Sequence, residues 1–265
     1  MRKINIIGYG IMGKQIVSMF SLLGYEVHLW NHNLPDLNLL QPLLSKNQEN
    51  FGSKNGQIII HKDLCDLPDN LTIEAALEDI TVKRSIYNVL KNKITKGYFT
   101  NTSSFSPGEI DCNIGVLHFF NPIKMKFVEY LPSRENNAEV EALIIELEAL
   151  NFVIAKVKDN RCFLGNFILF HEFSAFFKLL EKHNYPYMEV EKVVSKLYGN
   201  RDILKIVDII GIDVTLKIMQ NIQESEPSFF VPSILSLAIQ NNILGYKNKT
   251  SIKDYLSIYQ LLPRN

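Results

Sequence analysis

Over the first 157 residues, apolar positions fall into short runs that read as strands and longer runs at helical spacing. Lys3–Ile7 predicts a strand, Ile11–Leu23 an amphipathic helix and Glu26–Trp30 a second strand. Ile58–Ile60 and Leu71–Ala75 predict further strands, Asp79–Lys93 a helix and Tyr98–Asn101 another strand. Strand–helix–strand order with short turns implies parallel strands covered by helices. Val116–Phe120 and Met125–Tyr130 then flank Asn121-Pro122, a turn signal. A helix from about Asn137 to Leu150 and a strand, Phe152–Val157, close this half.

After Lys158 the strand signal stops. Residues 162–182, 188–197, 202–223 and 231–241 read as helices, broken at Asn184-Tyr185-Pro186, Gly199-Asn200, Pro227 and Pro232. Phe163, Phe167, Phe170, Phe173, Phe176 and Phe177 crowd the first of them. A helix apolar round most of its circumference is buried on several sides, inside the domain or against a second subunit. The expected organisation is therefore an α/β chain of two domains. Residues 1–157 are expected to form a doubly wound sheet, and residues 158–265 an all-helical domain. The roles of the two, dinucleotide binding for the first and substrate binding with dimerisation for the second, come from the motifs and the resemblance given below.

Composition narrows the class. The 265 residues carry 28 basic and 28 acidic side chains, so no basic field exists to draw in nucleic acid or an anionic membrane. At 46% hydrophobic and 21% charged, the chain has the make-up of a globular protein. Cys65, Cys112 and Cys162 lie far apart, as expected of buried reduced thiols and not of a disulfide framework or a metal site. Arg2-Lys3 and the apolar run behind them mimic a secretory signal. Gly8 and Gly10 interrupt that run, and it has no small-residue cleavage site. No run of apolar residues is long enough to span a bilayer. A cytoplasmic protein is expected.

Gly8-Tyr9-Gly10-Ile11-Met12-Gly13 follows a predicted strand and opens a predicted helix. In that setting Gly8 makes the tight turn, Gly10 lets backbone approach a pyrophosphate, and Gly13 lets helix and strand pack closely. Ile11 and Met12 start the helix whose free N–H groups face the phosphates, the arrangement of a Rossmann-type fold. The second strand runs into Asn31, where an acidic residue would grip the adenosine ribose. An asparagine still hydrogen-bonds the ribose without repelling a 2′-phosphate, so NAD is expected and NADP stays open.

The second chemical segment is Leu117-His118-Phe119-Phe120-Asn121-Pro122, followed by Phe127-Val128-Glu129-Tyr130. Pairing across the Asn-Pro turn places His118 opposite Phe127 and diagonal to Glu129 on one face, roughly 7–8 Å away. A carboxylate fixes a histidine's orientation and stabilises its charged form, which suits a general base beside a hydroxyl. Taken alone, such a pair is more often structural than catalytic.

With these segments in order, the chain resembles the 3-hydroxyacyl-CoA dehydrogenase family. The likeness runs through the Gly8–Gly13 segment, Ile73-Glu74-Ala75 with Glu78 and Lys83, Asn101-Thr102-Ser103-Ser104, His118–Pro122 and Phe127–Glu129. It continues in Lys158-Asp159 with Phe163 and Asn166, and in Asp208–Asp213. The resemblance implies hydride transfer between a nicotinamide and a 3-hydroxyacyl thioester. His118 would be the base and Glu129 its orienting partner. Ser103, Asn121 and Asn166 would bind the substrate. Glu78, Lys83 and Asn101 would join the cofactor-binding set. It also implies a homodimer through the helical domain.

Departures from the family pattern keep alternatives open. Asn31 replaces the usual aspartate, and the stretch from Asn31 to Ile58 is short where the family places a long helical hairpin. Arg161-Cys162 replaces an expected Pro-Gly pair, and Phe167 an arginine. The spacing from His118 to Glu129 is one residue short, and Asn200-Arg201-Asp202 replaces a Pro-rich turn. The open alternatives are a substrate tethered to an acyl carrier protein, a free hydroxy acid, and a non-catalytic dinucleotide-binding subunit.

Overall fold

The structure, a computed structural model, describes residues 2–134 and 137–259. Two compact units are present, Met1–Leu164 and Gly165–Asn265. The division falls later than the expected residue 157, because residues 158–163 are tied into the first unit. Arg161 pairs with Glu109, and the Cys162 N–H donates to Ser103 O at 2.8 Å.

The first unit runs β1 (Lys3–Ile7), α1 (Ile11–Leu22), β2 (Glu26–Trp30), α2 (Gln41–Phe51), β3 (Ile58–His61), β4 (Thr72–Glu74) and α3 (Ile80–Leu90). It continues with β5 (Tyr98–Thr100), α4 (Pro107–Ile110), β6 (Gly115–Phe119), β7 (Phe127–Leu131), α5 (Ala138–Ala149) and β8 (Val153–Lys156). The eight strands form one sheet in the order β3-β2-β1-β4-β5-β6-β7-β8. All neighbours are parallel except β6 and β7, which form an antiparallel pair.

Helices cover both faces, so the central strands are apolar on both sides. Ile4, Ile6, Val27, Leu29 and Ile73 join the core that α1 and α5 cover, while Ile7 packs with Ile86, Tyr87 and Leu90 of α3 on the other face. The stretch between Asn31 and Ile58, left without elements in the sequence reading, holds a 3-10 turn over Leu37–Leu40 and then α2. Helix α2 packs on α1. Its Asn47 Nδ2 lies 3.4 Å from Ser18 Oγ, and Phe51 stacks on Phe152.

The second unit consists of α6 (Leu164–Glu181), α7 (Tyr187–Leu197), α8 (Ile203–Ile210), α9 (Ile212–Ser225), α10 (Ser233–Gln240) and α11 (Ile252–Tyr259). The single helix expected over 202–223 is two helices, because Gly211 adopts φ 100° and ends α8. Phe170, Phe173, Phe176 and Phe177 fill the interior of this unit. An open apolar groove of about 700 Å³ lies between α6 and α7, lined by Phe176, Leu179, Val190, Val193, Val194 and Leu197. Among the described residues no helix is long and apolar enough to cross a membrane, and no group of three or more His, Cys, Asp or Glu could hold a metal ion. Cys65 and Cys112 are exposed and Cys162 is buried, which corrects the expectation that all three are buried.

Candidate active site

The chain leaves β1 toward β2 and β3 on one side, and β4 returns to pair with β1 on the other. A crevice opens at such a switch point, outside the carboxyl ends of the strands. The glycine segment sits there. Gly8 has φ 101°, and a Cβ on it would lie 2.4 Å from Ala75 O. A Cβ on Gly13 would lie 2.2 Å from Gly8 O, so helix and strand pack without room for a side chain. Around Gly10 a Cβ would meet no heavy atom within 4 Å. Gly10 also caps α1 without any side chain bonding its first N–H groups. Open space at Gly10 beside free helix N–H groups fits a dinucleotide pyrophosphate.

Asn31 braces this loop. Its Oδ1 accepts the Tyr9 N–H at 3.0 Å, and its Nδ2 donates to Asn33 O at 2.8 Å. One donor and one acceptor position are left on the amide for a ribose.

The end of β4 carries a buried ionic cluster. Lys83 Nζ lies 2.9 Å from Glu74 Oε1 and 3.1 Å from Glu78 Oε2. Glu74 also accepts from Thr100 Oγ1 at 2.7 Å and from the Ala76 N–H at 2.6 Å. Glu78 Oε1 accepts from the Thr102 hydroxyl and from the Ser104 N–H, so it holds both neighbours of Ser103. Burial pulls the Lys83 ammonium down, but the two carboxylates outweigh it and hold it above its ordinary range. Burial likewise pushes Glu78 up, while Lys83 and the hydrogen bonds from Thr102 and Ser104 bring it below the usual carboxylate range. Lys83 is 1% exposed with its ammonium turned to carboxylates, whereas Glu78 keeps an accessible edge.

His118 and Glu129 face each other on β6 and β7, with His118 Nδ1 2.7 Å from Glu129 Oε2. The expected register is corrected: His118 lies directly opposite Glu129, not opposite Phe127. The connection is longer than a tight turn. It holds a 3-10 turn at Ile123–Met125 and the left-handed Lys126, φ 53°. The pairing therefore shifts by two residues, which preserves the face of every side chain. Glu129 accepts the Nδ1 proton, so His118 Nε2 carries the lone pair. Phe120 and Phe163 flank the ring at 4.9 and 5.9 Å between centroids.

The remaining expected site residues are an asparagine on each of three segments and a serine, and each has its own setting. Asn101 Oδ1 accepts the Phe119 N–H at 2.8 Å. Asn121, at the cis Asn121-Pro122 bond, is exposed, and its Oδ1 accepts from Gln15 Nε2 at 2.6 Å. Ser103 is partly exposed, and its loop is held by Cys162, whose φ of 58° is the conformation glycine favours. Burial pushes the Cys162 thiol up to about 11, so it stays protonated. Asn166 belongs to the helical unit, buried in the first turn of α6. Sequence reasoning missed Gln15, Thr100 and Thr102. A glutamine among the buried Ile16, Val17, Met19 and Phe20 of α1 is the signal that could have marked Gln15.

Together, a doubly wound sheet with a glycine-loop crevice and a histidine–carboxylate pair beside it define a nicotinamide-type oxidoreductase. The family model described as 3-hydroxyacyl-CoA dehydrogenase, NAD binding domain, matches residues 3–151, and the chain belongs to that family. It is similar to a 3-hydroxybutyryl-CoA dehydrogenase of Clostridioides difficile, 28% identical over 282 residues, covering 96% of this chain and 99% of the relative. Among solved structures it is similar to M. tuberculosis FadB2, with TM-score 0.81, 23% identity and coverage of 95% of this chain and 98% of that one. An (S)-3-hydroxybutyryl-CoA dehydrogenase from Ralstonia eutropha superposes with TM-score 0.80, 20% identity and the same coverage.

Proposed function

We propose that the protein interconverts a 3-hydroxyacyl-CoA and its 3-oxoacyl form with NAD, and that His118 is the general base. The observation that carries this is the His118–Glu129 pair, which engages Nδ1 and leaves the Nε2 lone pair of the imidazole to accept a proton. Bound NAD supplies the hydride acceptor. His118 Nε2 takes the hydroxyl proton as the C3–O bond becomes a carbonyl, and in the reverse direction it returns that proton. Glu129 offsets the charge that develops on the ring. The Ser103 hydroxyl and the Asn121 amide offer hydrogen bonds to the substrate's electron-rich oxygens, and the Asn101 amide offers one toward the cofactor. A substrate role for Asn166 is part of the same proposal.

Glu78 is the cofactor-facing member of its cluster in this reading, and Lys83 acts by holding it. Because Asn31 brings no charge to the ribose site, use of NADP is part of the proposal. A homodimer through the helical unit is supported by the groove between α6 and α7 and by the exposure of Phe167 and Ile168, 45% and 68%. The exposed thiols of Cys65 and Cys112 suit a reducing, cytoplasmic setting.

Helix α2 supports a second reading, a substrate carried on an acyl carrier protein. It lies along α1 where the resemblance leads one to expect a long hairpin for coenzyme A. The test is nicotinamide oxidation with acetoacetyl-CoA and with acetoacetyl carrier protein, using NADH and NADPH in turn. Turnover of the CoA ester supports the first reading, and turnover of the carrier ester alone supports the second. Silence on both overturns the proposal.

A further inference from the structure

A chain of hydrogen bonds fixes which way Asn121 faces. The Ile123 N–H can only donate, and it donates to Gln15 Oε1 at 2.7 Å. The other end of that amide, Gln15 Nε2, is therefore the donor to Asn121 Oδ1 at 2.6 Å. Asn121 Oδ1 is turned to Gln15, and Asn121 Nδ2, which has no partner among the described residues, is turned away from it. Gln15 is 6% exposed and lies on α1, the helix that opens at Gly10.

We propose that Gln15 is a positioning residue that sets the polarity of Asn121, making it a hydrogen-bond donor toward the substrate from the helix that holds the cofactor. The inference rests on the thioester reading of the site. Keto and thioester oxygens accept hydrogen bonds, so an outward amide N–H₂ attracts them where an outward carbonyl would repel them. Asn101 obeys the same logic, because the Phe119 N–H claims its oxygen and leaves its Nδ2 to donate. Both amides are thus left with their N–H₂ ends to donate, while His118 Nε2 is left to accept.

Gln15→Glu and Gln15→Met separate this role from a merely structural one. An ionised carboxylate keeps the bond from Ile123 but cannot donate. Asn121 must then turn its N–H₂ inward and its oxygen to the cleft. Methionine removes the link without imposing the inverted polarity. The expected result is a fall in kcat/KM for acetoacetyl-CoA of about 10- to 100-fold in Q15E and a smaller one in Q15M. NADH Kd should be unchanged in both. Relative to wild type, the Q15E deficit should shrink as pH is lowered, because the protonated acid again donates.

Side-chain amide hydrogen exchange by NMR reads the polarity without activity. Protected Gln15 and exchanging Asn121 protons are expected in wild type, and protected Asn121 protons in Q15E. Equal losses in both variants that follow their Tm, or exchange that does not invert, overturn the inference. A wild-type protein silent on thioesters overturns the functional reading instead, and the exchange pattern still decides the polarity.

Discussion

Nδ1 of His118 stands 2.7 Å from Oε2 of Glu129, and the two residues are direct cross-strand partners on β6 and β7. Glu129 is fully buried, whereas His118 keeps 8% of its surface exposed. Both partners are held by the sheet, and only the histidine keeps accessible surface. The pair can therefore hold a proton acceptor in one orientation.

Glu129→Gln keeps a hydrogen-bond acceptor for Nδ1 but removes the charge facing the ring. Oxidation of the hydroxyacyl thioester should slow on the order of 10²-fold. NADH Kd should hold, since the charge removed is buried against His118. Unchanged kcat in steady-state assays would remove Glu129 from the mechanism.

Gly10 and Gly13 should respond differently to alanine. Gly13→Ala places a Cβ against Gly8 O and should cost about 1–3 kcal/mol of stability, seen as a lower Tm. Gly10→Ala meets nothing within the protein, so its Tm should hold. Its NADH Kd should rise by about tenfold or more, ~1.4 kcal/mol, as the methyl takes the space a phosphate would enter. Fluorescence titration showing wild-type affinity in Gly10→Ala would place the pyrophosphate elsewhere.

Glu109 carries a pH signature. Hydrogen bonds from Arg161 lead in drawing its carboxyl down from an ordinary 4.5 to about 2, against the upward pull of burial, with the Ser106 N–H assisting. A depressed carboxyl stabilises the fold above its unfolded value, and that stability is lost as pH falls through 4.5 toward about 2. The pair is one-third exposed, so the effect should stay under about 1 kcal/mol. In urea unfolding, Arg161→Met should be less stable than wild type near neutral pH, and the gap should close in acid. A gap independent of pH would mean that Arg161 acts by packing alone.

Asn31→Asp retains an oxygen for the Tyr9 N–H and adds a negative charge beside the ribose. The ratio of kcat/KM for NADH over NADPH should rise by at least about tenfold. An unmoved ratio would show that residue 31 does not face the 2′ position.

Much of this site is legible in the chain itself. The strand Lys3–Ile7, the three glycines and the apolar helix behind them are contiguous, and local spacing alone marks the crevice. The His118–Glu129 pair is legible as a shared face, but its register is not. The pairing depends on how many residues the connection consumes, and the left-handed Lys126 is invisible to alternation. Helix α2 escaped because its polar run hides the spacing of Leu40, Leu44 and Phe51. Gly211 divides α8 from α9 through a conformation that a helical pattern of apolar residues does not report. The roles of Gln15 and Cys162 come from contacts with segments far along the chain, so no window of sequence contains them.

The most direct test of His118 as the base is His118→Ala, assayed for NADH-dependent reduction of acetoacetyl-CoA and for NADH affinity in the same preparation. Turnover should fall by about 10³-fold while NADH Kd stays within about twofold of wild type. Turnover retained with affinity intact would contradict His118 as the general base.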